Sequence, residues 1–229
     1  GINYLLNCAY RPFVQKISFS RLDWFSLYSN LQLPIMGHIL VDLMEQLTPL
    51  TEEEKKDIEQ SIRIATFKKG AYLIKEGQFV QNSYYVIKGC IRVYQLQNGE
   101  EKTMAFHTED QSAVDFNSLS SQKPAKVNFV CAEETTVAIL NAEKEKALYK
   151  KHPRFESFCR EGVEQMIGQN QEQIMELIAL KPEQRYLKLQ AERPGLLNRV
   201  PQYQLASYLG IKPETLSRIR QRLASKVNH

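Results

Sequence analysis

Cysteine, histidine and long apolar runs are all scarce in this sequence, and each scarcity removes a class of protein. Cys8, Cys90, Cys131 and Cys159 are scattered over 229 residues with no CxxC pair, so neither a zinc site nor an iron–sulfur cluster is signalled. His38, His107, His152 and His229 are equally dispersed. His107, at the end of an expected strand, has no second ligand nearby and reads as structural, which disfavours a cupin-like metalloenzyme with clustered His and Glu. No nucleophile–base pair or phosphate loop appears, so catalysis is not expected. No apolar stretch approaches the ~20 residues of a membrane span, and no membrane partner is expected.

What is present is an ordinary globular composition, 43% hydrophobic and 24% charged, with an uneven charge. From Lys181 to His229 there are ten Lys/Arg against three acids, or +7, which leaves −3 on the remaining 180 residues. The overall +4 therefore hides a basic C-terminal segment on a slightly acidic body. Such a segment suits a polyanion, because binding releases condensed counterions.

Residues 1–35 are rich in aromatics, poor in acids and fit no regular element. Arg21 and Asp23 interrupt the apolar stretches a signal peptide would need. Met36 is expected to be the natural start, with 1–35 an extension from a misplaced start codon or added sequence. Residues 36–60 read as helical, with Leu40, Leu43, Met44 and Leu47 on one face and a capping box at Thr51–Glu54. From Ile62 to Leu140 short alternating runs appear: 62–67, 84–87, 91–94, 127–130 and 137–139. Glycine turns separate them, of which Asn98-Gly99 is a strong hairpin signal. Many short strands with such turns imply an antiparallel sandwich or roll.

Helical texture returns over 141–180. Phe158, Met166, Asn170, Ile174 and Leu177 lie on a mixed seam of near-heptad spacing, which predicts a helix that packs against its symmetry mate, with Asn170 fixing the register. The alternative is a long helix covering its own sheet. Pro182 marks a break, since proline can begin but not continue a helix.

The stretch 200–223 reads as two short helices joined by a tight turn. Leu205, Leu216 and Ile219 supply apolar contacts at helical spacing, together with Ile211 in the turn. Ala206 sits where one helix must cross closely over the other, and Gly210 where the first must stop, in a conformation that favours glycine. This pattern predicts a helix-turn-helix whose second helix enters the major groove of DNA; an ordinary αα-hairpin is the competing reading. Glu214, Ser217 and Arg218 project outward. Arg can give two hydrogen bonds to guanine, Glu can accept from cytosine, and Ser can serve either. Gln202, Lys212, Thr215 and Arg220 are candidates for phosphate contacts, which position rather than specify.

Taken together these residues resemble the CRP/FNR family of bacterial transcription regulators. The resemblance runs through Lys69-Gly70, 75–77, 84–94, 183–187 and the helix-turn-helix, and covers roughly residues 40–226. Glu214, Ser217 and Arg218 match the Glu-x-x-Ser-Arg form of the FNR-like branch. The resemblance implies an α+β chain: an antiparallel β-roll sensor (36–145), a dimerisation helix (146–180), and an all-α, winged-helix-like module with a truncated wing (181–229). It further implies double-stranded DNA, a second copy of the chain and RNA polymerase as partners, and a cytoplasmic location with free thiols. Family members that bind cyclic nucleotides use a Gly-Glu step and an Arg-Ser or Arg-Thr pair, where this chain has Val114-Asp115 and Ala125-Lys126. Asp115, Lys123 and Lys126 remain as candidate pocket residues. Without the bidentate guanidinium, no cofactor is assigned and cyclic AMP is not expected; another small effector, or none, is. A rival reading is a ligand-binding signalling module that acts through a protein partner and carries a vestigial DNA motif.

Overall fold

A computed structural model describes residues 39–227. The expected extension 1–35 and the start at Met36 lie outside the described residues. Two short helices precede the sheets: α1 (Ile39–Leu47) and α2 (Glu52–Ser61). The helical reading of 36–60 thus divides at Thr48–Leu50, where Pro49 cannot continue a helix. Thr51 caps α2 as predicted: its Oγ1 accepts from Glu54 N at 3.3 Å, and its own N donates to Glu54 Oε2 at 2.8 Å.

Eight strands follow: β1 (Ile62–Phe67), β2 (Tyr72–Ile74), β3 (Asn82–Lys88), β4 (Ile91–Gln97), β5 (Glu100–His107), β6 (Ser112–Ala113), β7 (Asn128–Cys131) and β8 (Thr135–Asn141), with a short helix α3 (Phe116–Ser121) between β6 and β7. They form two antiparallel four-stranded sheets, ordered β1-β8-β3-β6 and β2-β7-β4-β5. Val86, Ile91, Phe129 and Val137 are among the buried residues of one cluster drawn from both sheets. The Asn98-Gly99 signal closes the β4–β5 hairpin. Both residues have positive φ, +53° and +80°, as a type I′ turn requires. At Gly89, between β3 and β4, φ is +107° and a Cβ would lie 2.6 Å from Glu134 O and Thr135 Cα, so only glycine fits.

Four of the strands the sequence predicts coincide with β1, β3, β7 and β8, and the run 91–94 is the first half of β4. β2, β6 and α3 carry too few residues to show a period, and β5, opening Glu-Glu-Lys, is too charged to stand out.

After the sheets come α4 (Ala142–Lys151) and α5 (Arg154–Ala179), separated at His152–Pro153. Asn141 caps α4 by accepting from the N atoms of Glu143 and Lys144. The base of α5 is tied to α2: Arg154 Nε donates to Glu54 Oε1 at 2.7 Å and Nη2 to Oε2 at 2.5 Å, while Phe155 is buried with Val41, Ile58 and Leu148. Beyond Phe155 the 26-residue helix, roughly 39 Å long, has no buried residue. Ile167, Ile174, Met175, Leu177 and Ile178 are all more than half exposed. Among the described residues no helix is long and apolar enough to cross a membrane.

The chain finishes with α6 (Pro182–Glu192), α7 (Leu196–Arg199), α8 (Gln202–Tyr208) and α9 (Pro213–Val227). Pro182 starts α6, where its missing N–H costs nothing. Tyr186, Leu196, Leu205, Leu209, Leu216 and Ile219 form one buried cluster that also takes in Cys90 and Phe106 of the roll. Burial pushes the Cys90 thiol up to about 12, so it packs as an apolar group.

Candidate nucleic-acid interface

The turn between α8 and α9 is built by backbone geometry that its residues dictate. Gly210, at φ +68°, donates its N–H to Ser207 O at 3.1 Å, and Ile211 donates to Ala206 O at 3.0 Å. This pair of bonds is a Schellman motif, which needs the left-handed residue that glycine supplies most cheaply. Ala206 is fully buried. Arg185 of α6 closes the turn from outside: Nη2 donates to Leu209 O at 2.9 Å, and Nη1 to Leu180 O at 2.7 Å beyond the end of α5.

α9 has two unlike faces. Leu216 and Ile219 are buried and Leu223 is half-buried, whereas Glu214, Ser217 and Arg218 are exposed. Exposed Gln221 continues their line one turn on, three residues after Arg218. The sequence reading missed it, although the helical period alone could have found it. Arg218 Nη2 lies 3.4 Å from Thr215 Oγ1. Among the described residues no hydrogen bond engages the side chains of Glu214 or Ser217, so their polar atoms are unspent. Lys212 and Gln202 are exposed, while Thr215 and Arg220 are half-buried. At the start of α9 the carbonyl of Lys212 accepts from Thr215 N and Leu216 N.

Half of the basic residues counted in the segment serve structure. Arg185 caps helix ends, Lys188 pairs with Glu176 and Glu192, Arg222 pairs with Glu183, and Arg193 and Arg199 reach the roll. The charge available to a polyanion is therefore smaller than +7 suggests. It is concentrated around Lys212, Arg218 and Arg220.

In the roll, Asp115 is separated by burial from Lys123 and Lys126. Asp115 is buried and caps α3, accepting from Ser118 N at 3.2 Å. Ser118 Oγ donates to Lys123 O at 2.5 Å and accepts from Val80 N at 3.4 Å. Lys123 and Lys126 are exposed. Ala125 is buried and its backbone is paired on both sides, with Gly77 N donating to its O and its N donating to Gln78 O, both at 2.8 Å. Two open depressions lie on the roll. One of about 420 Å³ is lined by residues of Leu73–Tyr84, and one of about 460 Å³ by Tyr72, Lys75, Glu76, Tyr94, Leu96 and Asn128. Neither is lined by Asp115, Lys123 or Lys126. Among the described residues no cluster of His, Cys, Asp and Glu could hold a metal ion.

Of the seam residues, Phe158 and Met166 are half-buried, while Asn170, Ile174 and Leu177 are exposed. Exposed Ile167 completes a cleaner line: Val163, Ile167, Asn170, Ile174 and Leu177 alternate by four and three residues, the spacing of a coiled-coil seam.

Comparison with known proteins bears on the fold. A search of curated proteins finds no match. Among solved structures the chain is similar to FixK2 from Bradyrhizobium japonicum, at 16% identity and a TM-score of 0.62 over 72% of this chain and 85% of that one. It is also similar to CLP from Xanthomonas campestris, described as a c-di-GMP-responsive global regulator, at 13% identity and 0.59 over 77% and 93%. A mutant of CooA from Carboxydothermus hydrogenoformans matches at 16% and 0.56 over 73% and 78%. Residues 64–152 match the cyclic nucleotide-binding domain family, and about three quarters of the chain shares the fold of these bacterial proteins.

Proposed function

We propose that this chain is a sequence-specific DNA-binding transcription regulator of the CRP/FNR type that acts as a homodimer. The observation that carries this reading is α9. One face is packed to zero exposure at Leu216, and the opposite face presents Glu214, Ser217 and Arg218 with their polar groups outward. That division suits a helix whose outer face reads base edges, since contacts to base edges rather than phosphates carry sequence information. Gln221 extends the reading line, and Lys212, Gln202, Thr215 and Arg220 flank it as backbone contacts.

The exposed seam of α5 supports pairing with a second copy. An isolated helix does not keep several large apolar side chains in water at this spacing without a partner face. Two copies paired there would present two α9 helices to half-sites about 34 Å apart on one face of the duplex. The roll (36–145) is the sensor, 146–180 the pairing segment and 181–229 the output module. The segment 114–127, the cassette of the roll, lacks the guanidinium that would grip a cyclic phosphate, and its effector is a different small molecule or none. RNA polymerase is a further partner, and the cytoplasm the compartment.

Selection of bound DNA from a random pool by the purified protein tests this. The expected product is an inverted repeat. Salt-sensitive binding without any sequence preference would instead favour a signalling module with a vestigial DNA motif.

A further inference from the structure

Arg199, the last residue of α7, stands one short loop before α8 and belongs to the output module, yet its guanidinium bonds to Glu109, Glu133 and Gly89 of the roll. Nη1 donates to Glu109 Oε2 at 2.8 Å and Nη2 to Glu109 Oε1 at 2.8 Å, a bidentate fork. Nε donates to Glu133 Oε1 at 3.0 Å, with a further bond from Nη2 to the same oxygen. Nη2 also reaches Gly89 O at 2.7 Å, while Gly89 N donates back to Glu109 Oε1 at 2.8 Å. Three corners of the roll therefore meet on one side chain: the β3–β4 turn, the β5–β6 loop and the β7–β8 turn.

The positions of the two acids along the chain give this cluster its meaning. Glu109 precedes β6, which leads into the cassette at 114–127, and Glu133 follows β7, which leads out of it. The cassette is thus bracketed by the two carboxylates that hold Arg199. Any rearrangement of the cassette that shifts β6 against β7 changes the separation of those carboxylates, and a planar guanidinium accommodates only a narrow range of such separations. The module itself rests on the same edge. Ser207 Oγ of α8 accepts from Thr103 N at 2.9 Å, and Tyr208 meets Phe106 edge-on at 5.4 Å.

We propose that Arg199 is the positioning residue through which the two arms of the cassette set the placement of the DNA-reading helices, by an ionic clamp with Glu109 and Glu133. The proposal rests on the DNA-binding reading for its output, but the clamp can be observed without DNA. Arg199→Lys in the full chain keeps the charge and loses the fork; Glu133→Gln weakens one arm only. Hydrogen exchange is read at the amides of Gly89 and Thr103, with those of Val137 and Ala138 in β8 as internal controls. Affinity is then read on the selected operator and on versions with half-sites respaced by one base pair. The expected result for Arg199→Lys is exchange at Gly89 and Thr103 faster by about tenfold or more with the controls unchanged, a smaller rise for Glu133→Gln, and a changed ratio of affinities between the spacings. A merely structural arginine would weaken all spacings equally, and that result overturns the positioning role. Unchanged exchange overturns the clamp itself. If the wild-type chain shows no sequence preference, the DNA-binding reading fails, and the exchange arm still decides whether the clamp exists.

Discussion

α9 and the cassette are both short polar segments on an apolar scaffold, but they use their polar groups in opposite ways. In α9 the scaffold is satisfied by Leu216, Ile219 and the Schellman turn at Gly210, which leaves Glu214, Ser217 and Arg218 free to meet an outside partner. In the cassette the carboxylate of Asp115 and the hydroxyl of Ser118 are consumed by the segment's own backbone, and Ala125 is paired on both sides. A surface that recognises a polar ligand needs unspent donors and acceptors, because each internal hydrogen bond must be broken before it can be exchanged for a new one. By that criterion the exposed face of α9 keeps polar groups for an outside partner, whereas the segment 114–127 spends Asp115 and Ser118 on itself.

The largest expected effect tests the seam between the two halves. Burial, with Arg193 beside it, holds His107 down to about 4 from an ordinary 6.5. Between those values the unfolded chain binds a proton that the folded chain does not. The stabilisation is therefore complete above pH 6.5 and lost as the pH falls towards 4, at a cost on the order of 3 kcal/mol. Urea midpoints taken across this window should fall steadily with acid, and His107→Asn should flatten the slope. Glu109, whose bonds to Arg199 and Gly89 N overcome its burial and hold its carboxyl low, adds its own loss only below about pH 4.5.

Next in size is the reading face. Arg218→Ala should cost roughly 1–3 kcal/mol of operator binding and relax preference at one base pair per half-site. Uniform weakening on every sequence would demote Arg218 to a phosphate contact and blur the contrast with the cassette.

The smallest effect sharpens the sensor side. Asp115→Ala removes the cap of α3 and should cost about 1 kcal/mol of stability. The wild-type protein should show no thermal shift with cyclic AMP. A large shift would mean that Asp115 abandons the cap for a ribose hydroxyl, and that the closure of the cassette is only one of its states.

How far these features could be read in advance follows from the distance over which each is decided. The capping box at Thr51–Glu54 and the hairpin at Asn98-Gly99 depend on neighbours three residues away or fewer, and both were legible. The helix-turn-helix was legible for the same reason: Ala206, Gly210 and Ile211 lie within six residues. Gln221 and Ile167 followed from helical period and were overlooked. The basic segment was legible only as a total, since pairing of Arg222 with Glu183 across 39 positions has no linear signature. The expectation that Lys123 and Lys126 help hold a ligand rested on their place at or beside the position of the Arg-Ser pair, whereas the fold buries Asp115 and leaves both lysines in solvent.

The cap at Thr51, the turns at Asn98-Gly99 and Gly210 and the polar face of α9 follow from chain order alone, because backbone dihedrals and side-chain periodicity are local quantities. Which charges remain available depends instead on packing in three dimensions. Arg199 meets Glu109 and Glu133 across 90 and 66 positions, and charges that close in space can be far apart in the chain. Electrostatic pairing depends on distance through space and on burial, neither of which a linear pattern records.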